Sequence, residues 1–127
     1  RNQFLDITRD VREAVRAHGL RDGACLVYVP HTTCGVTINK NADPDVPADV
    51  LAHLSAVIPH RADFRHGEGN SDAHIKSSLV GCSALVPVRD GALALGTWQA
   101  IFLCEFDGPR TRRVQIQFLG ASEGRGA

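Results

Sequence analysis

Pro30-His31-Thr32-Thr33-Cys34-Gly35-Val36-Thr37-Ile38-Asn39-Lys40-Asn41-Ala42-Asp43-Pro44-Asp45 runs from the end of one hydrophobic stretch to the start of an amphipathic helix. It holds a histidine, three threonines, two asparagines and two aspartates around the strand-like centre Val36-Thr37-Ile38. The pattern reads as strand, turn, strand, loop, with His31 and the pair Asn41 and Asp43 presented at strand ends. Strand ends and loops on a rigid sheet are where sites are usually built.

Upstream, Ala24 to Val29 alternates Cys25, Val27 and Val29 against Leu26 and Tyr28, the period of a strand. Before it, Thr8 is placed to cap a helix running to about Ala17. Ile7, Val11, Ala14 and Val15 form its apolar face, and Gly19 fits its left-handed end. Arg9, Arg12, Glu13 and Arg16 fall on the wet face, and His18 reads as a helix-end cation or surface residue. Asn2 to Leu5 reads as a short strand.

Downstream, Asp45 is placed to cap a helix with Pro47 in its first turn. Val46, Val50, Leu54, Val57 and Ile58 form its expected buried stripe, His53 falls opposite, and Pro59 stops it. His60 to Ser71 is a polar loop with Gly67 and Gly69 around Glu68. A short helix from Asp72 to Val80 follows, capped by Asp72 and closed by Gly81. His74 lies in its first turn, where backbone N–H groups are unpaired and the dipole is positive. With Lys76, Ser77 and Ser78 this makes a candidate phosphate cradle.

Ser83 to Val88 and Ala92 to Leu95 read as strands joined by the Asp90-Gly91 hairpin signal. Trp98, in the bend Gly96-Thr97-Trp98-Gln99, reads as a packing anchor. Ala100 to Phe106 puts Ile101, Leu103 and Glu105 on one face and Phe102, Cys104 and Phe106 on the other. A carboxylate among apolar neighbours must be paired with a cation, bound to a metal or placed at the sheet rim. Val114, Ile116 and Phe118 mark the last strand, with Arg110, Arg112 and Arg113 at its entrance. Arg112 shares the parity of Val114, so it points inward, to Glu105 as an ion pair or to a bound anion. Ser122 to Ala127 reads as a frayed tail.

The 127 residues suit a single domain with one core. Many strands joined by short turns favour an α+β fold with mostly antiparallel sheet over a doubly wound parallel one. Fourteen basic residues balance fourteen acidic ones, and aromatics are sparse, so nothing favours nucleic acid. No apolar run reaches the roughly 20 residues of a membrane helix, and no signal peptide is evident. The chain opens on Arg1, which leaves room for preceding residues. Cys25, Cys34, Cys82 and Cys104 form no C-x-x-C pair, which argues for reduced, buried, structural cysteines, a cytoplasmic address and no tetrathiolate metal site. Dinucleotide fingerprints, phosphate-binding loops and nucleophile elbows are absent.

His31 at a strand end, His66 in the Gly-rich loop and His74 at a helix start stand apart from the other histidines. Three imidazoles with one open position make a catalytic zinc arrangement. Their separations match no compact metal motif, and separate hydrogen-bonded histidines fit the same spacing.

Pro30-His31-Thr32-Thr33, Asn39-x-Asn41-Ala42-Asp43-Pro44, Arg65-His66, Ala73-His74-Ile75-Lys76-Ser77-Ser78-Leu79, Pro87-Val88-Arg89-Asp90-Gly91 and Leu95-Gly96-Thr97-Trp98-Gln99, in this order, resemble the YjbQ family, also called UPF0047. The resemblance covers about Leu5 to Gly120. It implies a folded sheet, sandwich- or half-barrel-like, with two or three helices, and a homotrimer with sites near subunit boundaries. It also implies a histidine-centred pocket for a divalent metal, zinc before magnesium. Members are described as secondary thiamine-phosphate synthases, so the implied activity joins hydroxymethylpyrimidine pyrophosphate to a thiazole phosphate. An enzyme on another phosphorylated substrate and a non-catalytic metal- or anion-binding trimer are the alternatives.

Carried onto this chain, His31, His66 and His74 become metal or substrate ligands. His74, Asp43 and Glu105 are catalytic candidates, and Asn41, Lys76, Gln99 and Arg112 are substrate contacts. Lys40 stands where the pattern has an acidic residue. The loop from Gly67 to Asp72 also departs from it, so no role is carried over to Glu68 or Asp72.

Overall fold

A computed structural model describes residues 1–120, and the expected tail at Ser122 to Ala127 lies outside them. The elements are β1 (Gln3–Asp6), α1 (Thr8–His18), β2 (Gly23–Tyr28), β3 (Cys34–Lys40), α2 (Asp45–Val57), α3 (Ser71–Val80), β4 (Ser83–Arg89), β5 (Ala92–Leu93), β6 (Gln99–Glu105) and β7 (Gln115–Leu119). They form two sheets, ordered β1-β6-β3 and β5-β4-β2-β7. Every ladder is antiparallel.

β6 is the spine, because both of its faces are apolar. Ile101 and Leu103 meet Cys25, Val27, Val86 and Val88 of the facing sheet, and Val11 and Val15 of α1 close that core. Ala100, Phe102, Cys104 and Phe106 point the other way, against Ala73 of α3 and Leu51 and Leu54 of α2. The result is two stacked sheets with α2 and α3 on the far side of the β6 sheet. Among the described residues the far face of the four-stranded sheet is uncovered: Leu85, Tyr28 and Leu119 are 59%, 40% and 45% exposed.

The turn chemistry follows the sequence. Gly19 ends α1 in the left-handed conformation. Asp90 and Gly91 both take positive φ, 51° and 78°, as the tight turn between β4 and β5 demands. β5 is two residues long rather than the four expected. His18 is exposed in the last turn of α1 and stacks on Phe118, with ring centroids 4.1 Å apart.

Other expectations are corrected. Helix starts are not capped by Thr8, Asp45 and Asp72, which are already helical. Asp6 and Asp43 instead accept the backbone N–H two residues on, from Thr8 and Asp45. The Thr8 hydroxyl donates to Asp6 and accepts the Ile101 N–H, tying α1 to β6. The stripe of α2 is shallower than its periodicity suggests. The helix buries no residue fully, it meets the β6 sheet through Leu51 and Leu54, and Val57 is 63% exposed. Trp98 is no packing anchor: it is 62% exposed, with the Lys40 ammonium 5.2 Å from its ring centroid.

Gly35 lets the end of α3 lie directly on β3. A Cβ there would stand 2.5 Å from the Gly81 carbonyl oxygen and 3.3 Å from Val80. That carbonyl also accepts the Val36 N–H, at 3.0 Å. Gly35→Ala is therefore expected to lower stability by about 2 kcal/mol, the usual size of an overpacking penalty, in a urea melt. Unchanged stability would show that this approach yields easily.

All four cysteines are free thiols, but Cys82 is exposed rather than buried. Burial pushes the Cys34 thiol up to about 11 and that of Cys104 up to about 12. The native protein should therefore give one rapidly reacting thiol in a maleimide titration near neutral pH, and all four only after unfolding. A second fast thiol in the folded state would contradict the burial of Cys25, Cys34 and Cys104.

Candidate functional site

The turn after β2, the loop before α3, the first turns of α3 and the segment after β6 converge on one polar cleft. It has a volume of about 430 Å³, and its walls include His31, Glu68, His74, Asp107, Arg110 and Arg112. A neighbouring lobe of about 360 Å³ extends from His31 and His74 along α3 to Ser77 and Cys82.

β-register explains why these residues meet. Cys34, at the start of β3, pairs with Glu105, at the end of β6, so Thr33 lies beside Glu105 and Phe106 and His31 comes to the segment after β6, at Arg113. Arg112 enters from the approach to β7. Its Nε donates to Glu105 Oε1 at 2.6 Å, and its Nη2 donates to Glu105 Oε2 and to the Thr33 hydroxyl. The inward parity expected for Arg112 thus ends in an ion pair with Glu105, both side chains nine-tenths buried. Burial raises the Glu105 pKa, but hydrogen bonds from Arg112 and the Asp107 N–H, together with the Arg112 charge, outweigh it and hold the carboxyl below the usual carboxylate range. Arg112 in turn is raised, chiefly by its hydrogen bonding to Glu105.

A second network lies beneath the start of α3. Asp72 is fully buried and accepts from Arg1 at 2.7 Å and from Lys76 at 3.3 Å. Asp107 accepts from Arg1 and from the Asn70 amide and pairs with Arg110. Burial pushes its carboxyl up, yet the Asn70 hydrogen bond and the charges of Arg110 and Arg1 bring it below the ordinary range. Lys76 is 1% exposed and faces this network, so it is a structural cation and forms no wall of the cleft.

His66 and His74 meet edge to face with centroids 5.4 Å apart. His66 is held by Ser71 and Glu68, at 3.1 and 2.7 Å. The Nε2 of His31 accepts the Arg113 N–H at 2.9 Å. His74 has no hydrogen-bond partner for its ring among the described residues, which leaves it free to meet a ligand. The imidazole set suits zinc chemically. As arranged, however, no three His, Cys, Asp or Glu side chains among the described residues stand together as a metal site. His66 would have to release one of its two ring hydrogen bonds, whereas His31 keeps Nδ1 without a side-chain partner among the described residues.

Asn41, Asp43 and Gln99 are elsewhere. Lys40 pairs with Gln99 at the opposite end of the ladder that joins Cys34 to Glu105. Six residues of strand put the two ends about 20 Å apart. Asn41 donates to Asp6, Asp43 accepts from Asp45, and Gln99 accepts the Gly96 N–H. Sequence reasoning assigns no site role to Asn70, Asp72, Asp107 or Arg110, and reads Asp72 only as a helix cap. The four-residue spacing of Asp72 and Lys76 was a legible signal for one pair. Nothing local marks the others.

The fold and cleft define a class: a two-sheet α+β domain with a histidine- and arginine-lined cleft at one end of its central strand. The chain belongs to the YjbQ/UPF0047 family, whose model, described as UPF0047 protein YjbQ-like, matches residues 1–121. It is 53% identical to UPF0047 protein YugU of Bacillus subtilis, over 94% of this chain and 92% of that one. It is 52% identical to a UPF0047 protein of Methanocaldococcus jannaschii, over 94% and 87%. The crystal structure of an uncharacterized conserved YjbQ/UPF0047 protein from Clostridium acetobutylicum superposes with a TM-score of 0.91 at 52% identity, covering 93% and 92% of the two chains. A YbjQ-like protein of unknown function from Sulfolobus solfataricus gives 0.90 at 32% identity, covering 94% and 88%. No helix among the described residues is long and apolar enough to cross a membrane.

Proposed function

We propose that the cleft between His31 and His74 binds a small phosphorylated substrate and works as a transferase site of the thiamine-phosphate synthase kind. The supporting observation is the meeting of His31, His74, Arg110 and Arg112 on one polar cleft beside the start of α3. In the reaction, the thiazole nitrogen forms a bond to the pyrimidine methylene carbon while the carbon–oxygen bond to pyrophosphate breaks. The leaving pyrophosphate needs positive charge. Arg110 and Arg112 can supply it, and Glu105 holds Arg112 in place. A divalent metal, zinc by preference for imidazole or magnesium for the phosphates, would add charge neutralisation. His31, His66 and His74 would hold it.

The uncovered apolar face around Leu85 and Leu119 favours an assembly, and a homotrimer is part of this reading. Asn41, Asp43 and Gln99 then reach a cleft only across a subunit boundary. A second reading, a non-catalytic trimer that binds metal or anions, draws on the fact that the Glu105 carboxylate is wholly committed to Arg112 and the Asp107 N–H.

Pyrophosphate release from the two precursors, with zinc or magnesium, separates the readings. The native chain should turn over, and His74→Ala should lose about a hundredfold or more while staying folded. An unchanged rate would remove His74 from the site. No turnover above background, with phosphate binding intact, would favour the binding protein.

A further inference from the structure

A separate cleft opens at the β1 edge of the sandwich, with a volume of about 400 Å³. Gln3 pairs with Glu105 and Leu5 with Leu103, so these four share one face of the β6 sheet. Further along the sheet this face is core. At β1, among the described residues, it is left open, and Leu5 is 40% exposed. The opposite wall is the segment from Gly108 to Arg112. The cleft thus has an apolar floor, Leu5 and Leu103, and a rim of Arg1, Arg110 and Arg112.

Two observations point to an anion. The side chain of Arg112 is nine-tenths buried, and its Nε and Nη2 are spent on Glu105 and Thr33. Its Nη1 has no partner among the described residues. The linked network around it holds four cations, Arg1, Lys76, Arg110 and Arg112, against three carboxylates, Asp72, Glu105 and Asp107. Arg112 is balanced by Glu105, so the one uncompensated positive charge lies with Arg1 and Arg110, which share Asp107 at the rim of the cleft. The Glu105 carboxylate does not oppose an anion strongly, since Arg112 and the Asp107 N–H cover both its oxygens.

We propose that this cleft is a second ligand site, for a small organic anion whose phosphate or carboxylate meets Arg110 and Arg112 while its apolar body lies on Leu5 and Leu103. The site shares Arg110 and Arg112 with the histidine cleft but is lined by neither His31 nor His74, so its occupancy does not rest on the reaction proposed there.

Calorimetric titration with phenyl phosphate, using inorganic phosphate and phenol as controls, tests it on the native chain, Leu5→Glu, Leu5→Ser and His74→Ala. The native chain should bind phenyl phosphate more tightly than either control. Leu5→Glu, which sets a carboxylate beside the arginines, should weaken it by about tenfold or more. Leu5→Ser, a milder change at an exposed edge, should weaken phenyl phosphate and leave inorganic phosphate unchanged. His74→Ala should leave binding within about twofold, below the change that marks a lost contact. Absence of phenyl phosphate binding to the native chain would overturn the proposal, as would binding that disappears in His74→Ala.

Discussion

Asp72→Ala is expected to be the most destabilising single change in this protein, at about 4 kcal/mol, as for a buried ion pair broken from one side. Asp72 is fully buried, and Lys76 beside it is 1% exposed. Without the carboxylate, the Lys76 ammonium keeps only the Asn2 side-chain oxygen, at 3.3 Å, and the face of Phe106, at 6.0 Å. Arg1 loses one of its two acidic partners as well. The cost is that of an uncompensated buried charge, so it should disappear when both charges go. Asp72→Leu combined with Lys76→Met should recover most of the loss, because volume is kept and no ion is left unpaired. Urea denaturation of the single and double variants measures this. A single-variant loss below about 1 kcal/mol, typical of exposed pairs, would mean that water reaches Lys76 in the folded state.

Glu105→Ala should come second, at about 3 kcal/mol, with a marked pH signature. It leaves Arg112 with Thr33 alone and frees the Asp107 N–H. The folded-state pKa of Glu105 is depressed below its unfolded value. Its contribution is therefore present in full above the unfolded carboxylate value of about 4 and is lost as pH falls through the folded value. Asp107 has the same sign. Native stability should fall on acidification through that window, and Glu105→Ala should flatten the fall without abolishing it, because Asp107 remains. An identical slope in both proteins would show that Glu105 titrates alike folded and unfolded. The same variant should weaken anion binding in the histidine cleft, since Arg112 is then no longer held by its bidentate partner.

Much of the fold is legible in the residues. The alternation of Ile101 and Leu103 against Phe102 and Cys104 identifies a strand buried on both faces. The Asp90-Gly91 pair specifies its turn, and Gly19 ends α1. These are local effects, in which a side-chain period or a required φ is set by the residue itself. The Arg112–Glu105 pair was legible in part, because parity fixes which face each side chain takes, though not whether a cation or a metal answers the carboxylate.

The candidate site divides along the same line. The sequence by itself marks His31, His66 and His74 as unusual, gives Glu105 an inward face, and carries the family motifs from Pro30 to Gln99. The tertiary structure alone decides which of these meet. Strand register sets Cys34 opposite Glu105 and Lys40 opposite Gln99, so one continuous motif, His31 to Asp43, is split between two ends of a ladder. It also turns Lys76 and Asp72 inward to Arg1, across 71 residues of chain, and brings Asn70 and Arg110 to Asp107. Register and long-range ion pairing depend on the joint burial of many residues rather than on any local window. That is why the sequence names the chemical groups of this protein, and only the folded chain sorts them into cleft, buried network and surface.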